Sequence, residues 1–366
     1  MSKAAVVQAP QDQAAPPSSL SADFAPRVVR WQRSHGRSEL PWQNTRDPYR
    51  VWLSEVMLQQ TQVSTVLGYF DRFLQRFPSV ADLASAHEDE VLGLWSGLGY
   101  YSRARNMHRC AQEVVARFGG EFPRTAAQLE TLPGIGRSTA AAIASFCFGE
   151  RVAILDGNVK RVLTRFLGFE GDLASSANER ALWNLATQLL PAADSGEDMP
   201  AYTQGLMDLG ATVCMPRKPS CLICPVGTDC QAQLRSEQER FPVKTRKLRR
   251  TSQSIWMLVA RDAQGRVWLE KRPASGIWAG LYCLPCFDNR DALGASIPMS
   301  AGDALDDAPP FVHVLTHKDL HLHPVIWKAS SNKSQLSAGG AWFDEAAWQG
   351  LGLPAPVRKL LTELNA

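Results

Sequence analysis

Two carboxylates and a tight run of four cysteines are the residues of this chain whose type and setting promise chemistry. Glu55 lies in VWLSEVMLQQTQV, which reads as helix, with Val51, Trp52 and Leu58 at i−4, i−3 and i+3. A carboxylate on so apolar a face is costly to ionise, so its pKa is expected to rise, and a neutral carboxylic acid serves as a general acid. On the rim of that helix the same residue would be an ordinary exposed glutamate. Asp156 follows the apolar run Val152–Leu155 and precedes Gly157, Asn158 and a further helix, which is an N-cap position. Backbone N–H donors and the helix dipole favour its anion there and are expected to lower its pKa. Most aspartates so placed are caps and nothing more. One acid held protonated and another held ionised is nonetheless the arrangement that glycosidic cleavage uses.

Cys214, Cys221, Cys224 and Cys230 form C-x6-C-x2-C-x5-C. Four thiolates this close surround one tetrahedral metal ion or one cubane cluster, and spacing alone leaves zinc and iron–sulfur open. Arg217 and Lys218 lie inside the first loop and present positive charge outward, as a grip on DNA phosphates requires. No apolar leader stands at the N-terminus, so clustered cysteines favour a metal site in a reducing compartment over disulfides.

The elements that must position these groups are mostly helical over residues 25–240. Apolar residues recur at helical spacing in Val51–Phe73, Glu88–Phe118, Ala126–Glu130, Ser138–Phe148, Val159–Phe166 and Ala181–Leu190, with Thr125 and Asp156 as N-caps. LPGIGRSTAAAIASF joins two helices by a Pro-Gly-Ile-Gly hairpin. Gly134 and Gly136 admit backbone angles closed to other residues, and the amides opening the next helix suit a phosphate. A plain helical hairpin is the alternative, and no Gly-Lys-Ser/Thr follows to suggest a nucleotide site.

The chain has 366 residues and a net charge of +3, with 29 basic and 25 acidic side chains before residue 251 and 10 and 11 after it. The bias toward an anionic partner is mild, and no apolar run approaches the roughly 20 residues of a membrane span. Residues 1–22 read as a disordered tail and VKTRKLRR, within 241–250, as a basic linker. After Thr251 the pattern turns to strands: two around a turn at Ala263–Gly265, then Leu281–Phe287, His321–Trp327 and Ala341–Phe343, with a last helix over Pro356–Leu364.

Five motifs, SEVMLQQTQV, GLGYYSRARN, LPGIGRSTA, ILDGNVKRV and the cysteine loop, resemble in order the helix-hairpin-helix glycosylases with an iron–sulfur cluster. Within these, the chain looks like the adenine DNA glycosylase (MutY) family. The resemblance implies two helical lobes over 23–240, with a 4Fe–4S cluster on the four cysteines of 214–230. It implies that Glu55 protonates adenine and later helps water attack. Asp156 would stabilise the oxocarbenium-like sugar, with Asn158 and Ser138 beside it. Gln60 and Tyr100 match intercalating residues that fill the gap left by a flipped base. Leu40 and Trp42 resemble the adenine pocket wall, Gln204 a polar group near the base. Bifunctional relatives carry a catalytic lysine where this chain has Ser138, so the expected enzyme is monofunctional.

RPASGIWAGLYCLP resembles the family's Nudix-like domain, placed at 251–366. No REx2EE core follows, so this half is expected to bind 8-oxoguanine rather than hydrolyse a substrate. Leu315-Thr316-His317 stands where the family has Phe-Ser-His: Thr316 keeps the hydroxyl and His317 the ring donor, while Leu315 loses the aromatic. His313, His317, His321 and His323 and the pair Cys283 and Cys286 invite metal or redox readings, but no further ligand pattern completes a site. The expected partner is duplex DNA with adenine opposite 8-oxoguanine or guanine, met by a monomer in the bacterial cytoplasm, without a membrane. A glycosylase for another mismatch and a non-catalytic DNA-binding protein are the competing readings.

Overall fold

The computed structural model describes residues 22–193, 198–245, 249–298, 303–328, 336–337 and 339–365. The tail expected at 1–22 lies outside these but for Ala22, as does the middle of the linker, residues 246–248. The chain divides into two compact units. The first comprises Met1–Val51, Arg124–Glu130 and Ile135–Arg246, and the second Trp52–Pro123, Thr131–Gly134 and Lys247–Ala366.

In chain order the helices are α1 Phe24–His35, α2 Pro48–Leu58, α3 Val63–Arg76, α4 Val80–Ser85, α5 Glu88–Leu94, α6 Ser102–Phe118, α7 Ala126–Leu129, α8 Arg137–Phe148, α9 Gly157–Leu167, α10 Ser176–Gln188, α11 Met199–Asp208 and α12 Gln231–Leu234. In the first unit the apolar stripe of α9 buries Val159, Val162, Leu163 and Phe166 with Phe24 and Val28 of α1 and Leu206 of α11. Thr125 and Asp156 do cap: each side chain accepts from the amide three residues on, opening α7 and α9.

Two stretches read as continuous helix are each broken in two. Gln59–Gln62 separates α2 from α3, and residues 95–101 separate α5 from α6. Periodicity runs on through both breaks, but Gln60 takes φ 59° and Gly97, Gly99 and Tyr100 take 105°, 69° and 47°. The Gly97 backbone angle is one that L side chains rarely adopt, and a Cβ there would also run into the Tyr69 hydroxyl, so that turn requires glycine.

The rest of the second unit is a mixed sheet of β1 Thr251–Arg261, β2 Val267–Lys271, β3 Tyr282–Cys283, β4 Cys286–Phe287, β5 Ala304–Asp307, β6 Phe311–Val314, β7 Lys318–Lys328 and β8 Gly340–Phe343, with helices α13 Arg290–Ala295, α14 Glu345–Gln349 and α15 Ala355–Asn365. Its spine is the parallel pair β1 and β7, in register from Thr251 opposite Lys318 to Arg261 opposite Lys328. Alternate β1 residues enter separate cores: Ile255, Met257 and Val259 pack with Leu320, Leu322 and Val357, and Leu258 and Ala260 with Val325 and Trp327. Burial on both faces is what a parallel pair demands. Leu281–Phe287 yields two short strands because Leu284-Pro285 interrupts the ladder. β5, β6, α13 and α14 are each six residues or fewer, too short for a periodic pattern to announce them in the sequence.

Candidate active site

Asp156 ends the buried extended segment Val152–Leu155 of the first unit. Its Oδ1 accepts from the Val159 amide at 2.7 Å. Burial raises its pKa, opposed by the amides of Val159 and Asn158 and then by Arg161 and Lys160. The expected depression is thus corrected. The cap and nearby cations act as anticipated, but desolvation of a largely enclosed carboxylate outweighs them. Ser138, on α8, accepts from the Leu155 amide at 3.0 Å and so fixes the residue preceding the carboxylate. Lys160 is paired with Glu179 at 2.5 Å. Asn158 packs against Gly210, where any Cβ would come within 2.6 Å of the Asn158 Cβ. Gly210 lies in a π-helical turn, Leu209–Val213, that continues α11 into the first cysteine.

Cys214, Cys224 and Cys230 pack against the core of the first unit. Burial first, and then the neighbouring Cys214, Cys230 and Cys221, push Cys224 up to about 12, which places all four thiols in one electrostatic neighbourhood. Among the described residues no three His, Cys, Asp or Glu side chains form a group that could hold a single metal ion. Two arginines missed in the sequence organise the loop. Arg165, 2% exposed, donates to the Met215 carbonyl at 2.7 Å, the Pro216 carbonyl at 3.0 Å and Cys214 Sγ at 3.4 Å. Arg161 bridges Asn158 Oδ1 at 2.8 Å, the Gly210 carbonyl at 2.6 Å and the Cys214 carbonyl at 2.7 Å. The signal was present: Arg165 falls on the apolar stripe of α9, where an unpaired cation has no place. Four neighbouring thiols with the buried Arg165 guanidinium against Cys214 Sγ fit an anionic cluster with cysteine ligands, since the cation offsets charge that burial penalises. Arg217 and Lys218 are exposed.

Also in the first unit, Gln204 is not a free amide. It donates to Asp208 Oδ1 at 2.9 Å, and the fully buried Asp208 also receives the Arg37 amide at 2.9 Å and side chain at 2.7 Å. Trp42 is buried and Leu40 half-buried, the Leu40 amide donating to Gln43 Oε1 at 3.3 Å. Gly136 is the N-cap of α8.

The second unit holds Glu55, half-buried on α2 beside the fully buried Trp52 and Val56. Gln60 and Tyr100 are exposed, each at a left-handed φ on a break between helices. Gly134 takes φ +77°, and a Cβ there would meet Asn106 Cβ at 2.7 Å. Leu315-Thr316-His317 forms the turn from β6 to β7. Thr316 and His317 are exposed, while the half-buried Leu315 packs against the sheet core. The Thr316 and Tyr100 hydroxyls hydrogen-bond at 2.5 Å. Arg250 holds the turn by its Leu315 carbonyl at 3.0 Å and is itself paired with Asp319, and the Thr251 amide donates to the His317 carbonyl at 3.1 Å. His323 stacks on Trp256 at 4.3 Å and His313 lies 6.4 Å from Trp278, so these histidines pack with aromatic rings. Cys283 and Cys286 are free thiols with sulfurs 3.8 Å apart.

Two family models match the chain: the HhH-GPD superfamily base excision DNA repair protein over residues 53–188 and a NUDIX domain over 256–363. An adenine DNA glycosylase of Buchnera aphidicola is 36% identical over 344 residues, 92% of this chain and 96% of its own. The Homo sapiens adenine DNA glycosylase is 46% identical over 227 residues, 60% of this chain and 41% of its own. A solved thermostable thymine-DNA glycosylase superposes with TM-score 0.52 at 28% identity, covering 59% of this chain and 98% of that one.

Proposed function

Because the chain belongs to the adenine DNA glycosylase family, we propose that it hydrolyses the N-glycosidic bond of adenine mispaired with 8-oxoguanine or guanine in duplex DNA. The observation that carries this reading is the hydrogen bond between Tyr100 and Thr316. It joins a residue suited to replacing an extruded base with the turn suited to reading the base opposite. An exposed tyrosine in a left-handed turn offers its ring for stacking, and a hydroxyl beside an exposed imidazole offers donors and an acceptor to an oxidised purine.

In the proposed mechanism Glu55 delivers a proton to the departing adenine and then accepts one from the attacking water. Asp156 supplies negative charge as the sugar becomes cationic. Its carboxylate is oriented by the Val159 amide before the reaction begins, so little reorganisation is needed as the cation forms. Asn158, fixed by Arg161, and Ser138, fixed against Leu155, line the same segment. Ser138 offers no amine, and Lys160 is engaged with Glu179, so water, not an enzyme amine, completes the displacement. Cys214, Cys221, Cys224 and Cys230 would hold a 4Fe–4S cluster. When bound, it supplies a covalent tie across the loop, and no step of base release passes through it.

The test is an alkali-developed nicking assay on duplexes with adenine opposite 8-oxoguanine, guanine, cytosine or thymine. Release from the first two and not from the others is expected. Equal release from all four, or removal of thymine opposite guanine instead of adenine, overturns the reading.

A further inference from the structure

One buried cation of the second unit has no part in the chemistry above. Arg103, on α6 three residues after Tyr100, is only 9% exposed. Among the described residues no carboxylate forms an ion pair with it, and burial lowers its pKa to about 10, which leaves it charged at neutral pH. Its charge is met by carbonyl oxygens. Nη1 donates to Val56 and Met57 in the last turn of α2, both at 2.9 Å. Nη2 donates to the Leu98 and Gly99 carbonyls at 3.1 and 3.2 Å and to Thr61 Oγ1 at 3.1 Å. The guanidinium also lies over the rings of Trp95 and Tyr100, at 5.1 and 5.6 Å from their centroids.

These partners sort into two groups. Val56, Met57 and Thr61 bracket the break that carries Gln60. Leu98 and Gly99 immediately precede Tyr100. Neither Gln nor Tyr adopts a left-handed backbone without support, since the Cβ crowds the following carbonyl. Both do so here, in breaks that a single guanidinium fork ties together. A lysine ammonium has only three donors on one nitrogen and lacks the rigid fork whose two arms here serve five acceptors on two chain segments.

We propose that Arg103 is the positioning residue for base extrusion: it holds the breaks bearing Gln60 and Tyr100 in the one arrangement that presents both side chains to the duplex. The inference rests on the assignment of Gln60 and Tyr100 as the intercalating pair. It makes extrusion, and not base hydrolysis, the step that depends on Arg103.

The experiment uses the full chain in two formats. Extrusion is followed by stopped-flow fluorescence of 2-aminopurine replacing the target adenine, in an Asp156→Asn background that leaves the duplex intact. Base release is followed under single turnover on a paired mismatch and on a duplex whose adenine is already bulged out. Arg103→Lys should slow extrusion and release from the paired duplex about tenfold, the scale of losing hydrogen bonds to a charged group, with release from the bulged substrate within about threefold of the parent. General destabilisation would slow both substrates alike, and that outcome overturns the proposal. Tyr100→Ala and Gln60→Ala separate the two layers. If they abolish extrusion and Arg103→Lys does not, the role of Arg103 is refuted and the intercalating pair stands. If neither affects extrusion, the pair itself falls, and the proposal with it. Should Arg103→Lys melt below the assay temperature, Thr61→Val removes one acceptor without stranding a cation. About a threefold loss of extrusion is then expected, again relieved by the bulge, and parental extrusion in that variant refutes the proposal.

Discussion

Replacing Asp156 by Asn should separate stability from activity, with opposite signs. The carboxylate sits at the N-cap of α9 and accepts from the Val159 amide at 2.7 Å. An asparagine oxygen accepts the same bond, and Asn and Asp are nearly equivalent caps, so the helix start is preserved. What changes is charge. Burial raises the pKa of Asp156 more than Val159, Asn158, Arg161 and Lys160 lower it. A carboxyl whose pKa is higher folded than unfolded binds its proton more tightly in the folded state. Its contribution is therefore favourable in acid and is lost as pH rises through the folded value. At any pH above the folded value the protein carries an anion it would be more stable without. Asp156→Asn should hence melt no lower than the parent, and higher by a few degrees if the relief reaches about 1 kcal/mol. Asp156→Ala, which also loses the cap, should sit about 1 kcal/mol below Asp156→Asn. Base release should fall about 10²- to 10³-fold in Asp156→Asn, the scale of deleting one pre-oriented electrostatic partner of a transition state. The assays are thermal melts near pH 7 and single-turnover release on adenine opposite 8-oxoguanine. Melting several degrees below the parent would show the charge to be structural, and parental release would remove Asp156 from the mechanism.

The same raised pKa places the acid limb of the release profile above the range of an exposed aspartate, near 3.9. A limb at or below that value in single-turnover pH profiles would contradict the Asp156 environment described here. Borohydride reduction during turnover should trap no protein–DNA adduct, because Ser138 has no amine and Lys160 is tied to Glu179; Glu179→Gln should raise adventitious trapping, and efficient trapping in the parent would refute monofunctional hydrolysis. Cys224→Ser should lose the brown absorbance of a cluster and lower the melting temperature, and a variant that keeps its colour would exclude Cys224 as a ligand. Thr316→Ala with His317→Ala should reduce the preference for 8-oxoguanine over guanine opposite adenine about tenfold, roughly one lost hydrogen bond's worth, and an unchanged ratio of release rates would take the turn out of recognition.

The caps, the glycine hairpin, the four-cysteine spacing and the change from helix to strand at Thr251 were legible because each rests on local chemistry. Thr125 and Asp156 cap the helices they precede for the same reason a reader can pick them out: a short acceptor before an apolar run. The breaks at Gln60 and Tyr100 were not legible. Helical periodicity records which residues are buried, and it continues across a turn whose flanks pack on the same core. The sign of the Asp156 shift was missed because local donors are visible in sequence and enclosure is not. Asp208, Arg161 and Arg165 escaped notice because their partners, Arg37, Gly210, Cys214 and Met215, lie far along the chain. In the second half, Leu315 could be aligned to a family aromatic but only the fold shows it turned inward.

The Leu315–His317 turn is gripped by Arg250 and by the amide of Thr251, the residues with which the connecting segment ends and the sheet begins. This gives the connecting segment two mechanical grades. At its start, Thr245 is instead held by Asp172 of the first unit. A reporter dye placed at residue 250 would report directly on the conformation of the turn, and an extra residue inserted between 250 and 251 should unseat it.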